Sequence, residues 1–198
     1  IKYRAEDIRP DFPLNHKELN YAERLFKAYK KRVQSDSITV GVNISAGKIT
    51  RWWGKEKYAA LIEGLFERDV VPILLYEPSW RNLALSIQGL INNKRLILGP
   101  ALDDFSLYAA FVKQLDMLIT PDTSVVHLAS AFKIPIVALF PEDYENYMNW
   151  RPFRVPSRVV KSPVMDELWR IKVNDVLKAF DQLTKEVGIE IVRGGDNT

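Results

Sequence analysis

Short, near-continuous apolar runs recur along this chain, and each is followed by a segment whose apolar residues repeat at helical rather than alternating spacing. The runs cover residues 38–44, 70–76, 95–99, 116–120 and 135–140, and a weaker one lies near 158–160. A strand that is apolar on both sides cannot turn either face to water, so the sheet it joins must be covered on both faces. Between the runs, residues 16–33, 55–68, 79–92, 104–114, 124–132 and 173–187 carry apolar stripes of helical period. Alternation of this kind implies βαβ units. The predicted fold class is α/β, a doubly wound parallel sheet of Rossmann-like architecture.

Three regions follow from the pattern. Residues 1–37 read as a linker with an entering helix, 38–188 as the Rossmann-like domain and 189–198 as a flexible tail. The stretch "PEDYENYMNWRPFRVP", residues 141–156, reads as a long aromatic and acidic loop. Of the 198 residues, 47% are hydrophobic and 27% charged, a profile that suits a soluble globular protein. The net charge of +3 permits an anionic ligand without requiring one. Lys30, Lys31 and Arg32 read as the solvated end of a helix, where cations suit the dipole, so no nucleic-acid partner is expected.

The absence of cysteine excludes disulfides, thiolate zinc sites and cysteine nucleophiles. His16 and His127 are the two histidines, and no cluster of oxygen or nitrogen ligands suggests a metal. No apolar run approaches the ~18 residues of a membrane span, and no signal peptide is visible, which points to the cytoplasm. The sequence starts at Ile1 rather than Met, and is expected to be a piece of something longer.

Ligands of open α/β sheets sit at the carboxyl ends of the strands. That rule selects the loops at 45–54, 77–80, 99–104, 120–124 and 140–152. In "TPDTSVVHLASA", residues 120–131, the polar residues Asp122, Thr123 and Ser124 fall where strand gives way to helix. Two readings stay open for them: helix capping, or a ligand whose negative charge meets the free N–H groups of the helix start. His127 follows one turn later, either within reach of the same ligand or as a satisfied core histidine. In the first strand–loop–helix unit, Ser45, Ala46 and Gly47 are small enough for close backbone approach to a phosphate, and Lys48 and Arg51 bring charge. The alternative is a plain loop with surface cations. The loop is neither a Walker A motif nor Gly-x-Gly-x-x-Gly. Glu77, just past the second strand, is placed to accept hydrogen bonds from a ribose or is an ordinary exposed acid at a strand end, and Asp104 is a natural helix cap.

In their order and spacing these segments resemble the C-terminal half of the family 9 glycosyltransferases, the lipopolysaccharide heptosyltransferases of GT-B fold. "DTSVVHLASAFKIPIVALF" is similar to that family's Asp-Thr-Gly-x-x-His-Leu-Ala-x-Ala signature, "RWWGKEKYAALI" to its Lys-x-Trp-Pro-x-Glu-x-aromatic segment, and "LDDFSLYAAFVKQLDMLITPDT" to the helix and strand before the signature. "NWRP" resembles a proline-containing loop beyond the last core strand. The resemblance implies a nucleotide-sugar donor, ADP-heptose above all, as substrate rather than a cofactor, and inverting, metal-independent transfer. It implies donor-binding roles for Asp122, Thr123, Ser124, His127, Ser45, Ala46, Gly47 and Glu77. Arg51, in place of a lysine, and Lys48 would stabilise the departing diphosphate. Ser124 stands where the family has Gly, Gly54 where it has Pro, and "EPSWRN" lacks the family's Gly-rich start.

The resemblance also implies partners: a missing N-terminal lobe holding acceptor and catalytic base, and a lipid-linked acceptor at the inner membrane. Two rival readings follow from the same fold. One is a non-catalytic assembly module docking through Trp52, Trp53, Tyr144, Tyr147 and Trp150; the other is a different GT-B-like enzyme of nucleotide-sugars, such as an epimerase.

Overall fold

In the computed structural model, which describes residues 10–33, 37–47, 52–91, 93 and 95–191, six strands form one parallel sheet. They are β1 (Thr39–Asn43), β2 (Val71–Leu75), β3 (Ile97–Leu98), β4 (Met117–Pro121), β5 (Ile136–Phe140) and β6 (Ser157–Lys161), in the order β3-β2-β1-β4-β5-β6. Every residue of β1, β2, β4 and β5 is buried, as the unbroken apolar runs require. The chain builds outward from β1 to β3, then returns to the middle and builds outward again from β4. The reversal lies between β1 and β4, which pair from Val40 with Met117 to Val42 with Ile119.

Two local details permit this pairing. Val71 N–H donates to the Ile38 carbonyl, so the next nitrogen along β2, that of Pro72, faces the β3 side. Pairing on that side begins only at Ile73 with Ile97, so the missing N–H costs no ladder bond. At the amino-terminal edge Asp116 Oδ2 accepts from both Thr39 N and Thr39 Oγ1 at 2.7 Å, which pins β4 to β1.

Seven helices flank the sheet among the described residues: α1 (His16–Val33), α2 (Lys55–Phe66), α3 (Arg81–Leu90), α4 (Phe105–Val112), α5 (Ser124–Phe132), α6 (Tyr144–Trp150) and α7 (Val173–Glu186). One hydrophobic cluster packs α2, α3 and α7 against one face through Tyr58, Leu61, Ile87 and Phe180; the other packs α4 and α5 against the opposite face through Phe111, Val126 and Leu128. α1 joins this second cluster. Its Ala22 is fully buried, and Phe26 and Tyr29 meet the ring of Phe111 edge-on at 6.0 and 5.9 Å. Asn15 accepts from Lys17 N and Glu18 N while Glu18 reaches back to Asn15 N, a reciprocal cap that starts α1.

α6 lies where the sequence reads as loop. Its seven residues bury no side chain, so it shows no apolar stripe; Asp143 starts it by accepting from Asn146 N at 3.0 Å. Among the described residues no helix is long and apolar enough to cross a membrane, and no group of three metal-ligating side chains comes together.

Candidate functional site

The crevice outside the carboxyl ends of β1 and β4 is organised by one buried side chain. Asn43, the last residue of β1, is 1% exposed. Its amide nitrogen donates to Thr120 Oγ1 at 2.9 Å and to Thr123 Oγ1 at 3.2 Å, and its oxygen accepts from Ser45 N at 3.2 Å. Asn43 therefore ties the end of β1 to the end of β4 and to the start of α5. Thr120 Oγ1 spends its proton on the Pro121 carbonyl at 2.9 Å. Ser45 Oγ accepts from Glu77 N at 2.7 Å, which brings in the loop after β2 and leaves the serine proton for a further acceptor.

Thr123 caps α5, its Oγ1 accepting from Val125 N at 3.4 Å. The cap is long, and Ser124 and Val125 at the positive end of α5 both line the adjoining cavity. Capping and anion binding are thus compatible here rather than exclusive.

A cavity of about 380 Å³ opens above this network. Its inner half is lined by Asn43, Ser45, Thr123, Ser124 and Val125, over β1 and β4; its outer half by Glu77, Pro78, Ser79, Leu102, Asp103 and Tyr108, over β2 and β3. Phe105 lies between them, its ring stacked against Tyr108 at 6.2 Å and 25°. Burial, with the nearby charge of Glu77 adding to it, pushes the Tyr108 phenol well above its ordinary range, so the hydroxyl keeps its proton. The volume falls in the range of small-ligand sites.

Of the residues expected at the site, Ser45, Glu77, Thr123 and Ser124 meet in this one cavity. Ala46 is buried and Gly47 exposed directly beside Ser45, with open space where a Gly47 side chain would be. Asp122 is 5% exposed and does not line the cavity, its carboxylate accepting from Asn146 Nδ2 at 2.6 Å and its N–H donating to the Leu139 carbonyl. His127 is exposed, edge-on to Trp150 at 5.5 Å. It lines a smaller neighbouring space of about 220 Å³ that shares Phe105 and Ser124 with the main cavity. Lys48 and Arg51 lie outside the described residues, and no lysine or arginine among the described ones lines the main cavity.

Asn43, Ser79, Asp103, Phe105 and Tyr108 join the site without having been singled out for it by sequence. Asn43 carried a signal, a lone amide ending a run of apolar residues; Ser79 and Asp103 fall in the strand-end loops 77–80 and 99–104, while Phe105 and Tyr108 carried none. The aromatic set divides. Trp53 is fully buried, its Nε1 donating to the Ile171 carbonyl at 3.0 Å, and is a core residue rather than a docking one. Tyr147 packs edge-on to Phe140, while Tyr144 and Trp150 are exposed.

The family model described as glycosyltransferase family 9 (heptosyltransferase) matches residues 1–173. Lipopolysaccharide heptosyltransferase 3 of Escherichia coli (strain K12) is 24% identical over 195 residues, covering 85% of this chain and 54% of that protein. The crystal structure of a family 9 glycosyl transferase from Veillonella parvula DSM 2008 matches with a TM-score of 0.75 at 18% identity, covering 89% of this chain and 54% of that one. The structure of E. coli ADP-heptose lps heptosyltransferase II matches with a TM-score of 0.76 at 16% identity, covering 94% of this chain and 56% of that one. At such identities the structural likeness is one of fold. The chain spans about half the length of these relatives.

Proposed function

This chain belongs to glycosyltransferase family 9, and on that premise we propose that it is the donor-binding domain of a heptosyltransferase that takes ADP-heptose and glycosylates a lipopolysaccharide-type acceptor. The reading includes inversion at the anomeric carbon and no metal. A lobe outside these residues supplies the acceptor and the base, as the half-length match to relatives supports. The net charge of +3 supports work at the cytoplasmic face of an anionic inner membrane.

The observation that carries the proposal is the meeting of Ser45, Thr123, Ser124 and Glu77 in one cavity at the reversal between β1 and β4. In the reaction the acceptor hydroxyl, deprotonated by a base on the other lobe, bonds to the anomeric carbon. The bond from that carbon to the diphosphate oxygen breaks, and the nucleoside diphosphate leaves with the electron pair. The charge developing on the departing oxygen meets the Ser45 proton, the Ser124 hydroxyl and the amides at the start of α5, groups already oriented before the reaction. Lys48 and Arg51 add their charges in this reading, and Glu77 holds the ribose hydroxyls. His127, one turn along α5 from Ser124, faces the sugar side, and Asp122 orders the signature turn.

The test is titration of the chain with ADP by calorimetry, beside Ser124→Asp. An aspartate at the first position of a helix suits its dipole, so the variant should melt no lower than the wild type. The same carboxylate confronts the diphosphate, and ADP affinity should fall by about tenfold or more. No binding of ADP by the wild type, or equal binding by Ser124→Asp, would overturn the reading.

A further inference from the structure

Two consecutive acids close the loop after β3, and they do different work. Asp104 is the cap of α4, its Oδ1 accepting from Ser106 N at 2.8 Å and Leu107 N at 3.1 Å. Asp103 is exposed, lines the outer half of the cavity, and makes no hydrogen bond or ion pair among the described residues. Across the same half stands Glu77. Ser79 and Tyr108 contribute hydroxyls there, and no cation among the described residues joins them.

A ligand entering this half must therefore bring hydrogen-bond donors. A phosphate belongs at the other end, over β1 and β4, so the nucleoside end of the ligand lies over β2 and β3. The ribose diol satisfies one carboxylate. The second demands an N–H from the base, because a carboxylate desolvated by a ligand and left unpaired costs the full penalty of its lost hydration. Adenine, cytosine and guanine each present an exocyclic amino group. Uracil presents two carbonyl oxygens flanking one ring N–H, and an oxygen facing a carboxylate repels it.

We propose that Asp103 is a specificity-determining residue: its carboxylate accepts a hydrogen bond from the exocyclic amino group of a nucleobase lying against Phe105 and Tyr108, so the site takes amino-bearing bases and rejects uracil. The assignment rests on the donor-binding reading above and names the residue that sets the base. A site built to pair a polar group discriminates strongly against the analogue lacking the partner, since the carboxylate that the ligand covers is then left unmet.

The experiment titrates the whole chain with ADP, CDP, GDP, UDP and inorganic pyrophosphate, for the wild type, Asp103→Ala and Asp103→Asn, with circular dichroism to verify the fold. The wild type should bind at least one amino-bearing diphosphate about tenfold tighter than UDP. Asp103→Ala should close that gap by weakening the amino-bearing nucleotide, without weakening pyrophosphate. Asp103→Asn, whose amide oxygen still accepts, should keep part of the gap. Equal affinity for UDP in the wild type, or an Asp103→Ala loss shared by pyrophosphate, would overturn the inference and leave the donor-binding reading standing. Failure of all five ligands to bind the wild type would overturn both.

Discussion

Asn43 and Tyr58 are each 1% exposed, yet their polar atoms meet opposite treatment. The Asn43 amide is paired on both sides and sets the geometry of the cavity floor. The Tyr58 hydroxyl, on α2 with its ring edge-on to Trp53 at 5.2 Å, finds no hydrogen-bond partner among the described residues. Phenylalanine keeps the ring and removes the unmet group, so Tyr58→Phe should stabilise the protein by about 1 kcal/mol. The sign with pH follows from burial, which pushes the Tyr58 phenol far above its ordinary value of 10.0. Above that value the unfolded chain releases the proton while the folded chain holds it, so stability is complete below pH 10 and falls as pH rises beyond it. Urea unfolding of the two proteins between neutral and alkaline pH should show the wild-type decline and a shallower one for Tyr58→Phe; Tyr108, raised for the same reason, retains part of the slope. A less stable Tyr58→Phe at neutral pH would mean that the hydroxyl has a partner after all. Gly54 makes a second residue-scale point. It stands where the family has Pro, and its φ of 108° is closed to Pro, whose ring holds φ near about −65°.

Among the elements, α5 carries the cavity at one end and a strained cap at the other. Lys133 closes it in the left-handed region, φ 60° and ψ 33°, where Ile134 N–H reaches the Ala129 carbonyl at 2.9 Å. Glycine adopts that conformation without the Cβ penalty, so Lys133→Gly should raise stability by about 0.5–1 kcal/mol. Thermal melts should show the gain with ADP affinity unchanged, because the change lies at the far end from Ser124; a lower melting temperature would count against it. α5 was legible in sequence, as were the strands, since runs such as 116–120 and 135–140 are buried on both faces and no other element explains them. Ser45, Glu77, Thr123 and Ser124 were legible for a related reason: each sits just past a strand end, where the topology places ligands. Asn43 reaches Thr120 and Thr123 across 77 and 80 residues of chain, a partnership that periodicity cannot reveal. Asp103 falls in the strand-end loop 99–104, but its division of labour with Asp104 depends on which carboxylate the helix start consumes. α6 escaped because it has no buried face; its cap and the Asn146–Asp122 contact order it instead.

For the molecule as a whole, the decisive property is that one sheet underlies both hydrophobic clusters, so closing either face stabilises the other. α7 closes the face that α2 and α3 share. Its Phe180 and Leu183 are fully buried, and it approaches α2 so closely that a side chain at Gly64 would meet Leu177 Cδ1 at 2.6 Å. The two helices are latched by Arg68, whose Nε and Nη2 donate to the Asp181 carboxylate at 2.6 and 2.9 Å while Nη1 donates to the Gly64 carbonyl at 2.7 Å. Both side chains are 13% exposed, so the pair is little screened and its loss strands a guanidinium near the core. Asp181→Ala should therefore cost about 3 kcal/mol, and Arg68→Ala in the same chain should restore part of it by removing the stranded charge. Because the sheet is common to both faces, the loss should appear in one transition. Fluorescence, to which the buried Trp53 beside α7 contributes, and circular dichroism of the whole backbone should share a single denaturant midpoint, shifted together. On the proposed donor-binding reading, saturating ADP should raise that midpoint in wild type and variant alike, by about 2.7 kcal/mol at a hundred times the dissociation constant. Two separated midpoints in Asp181→Ala would instead make α7 a unit that unfolds on its own, and the nucleotide would then move only the later one.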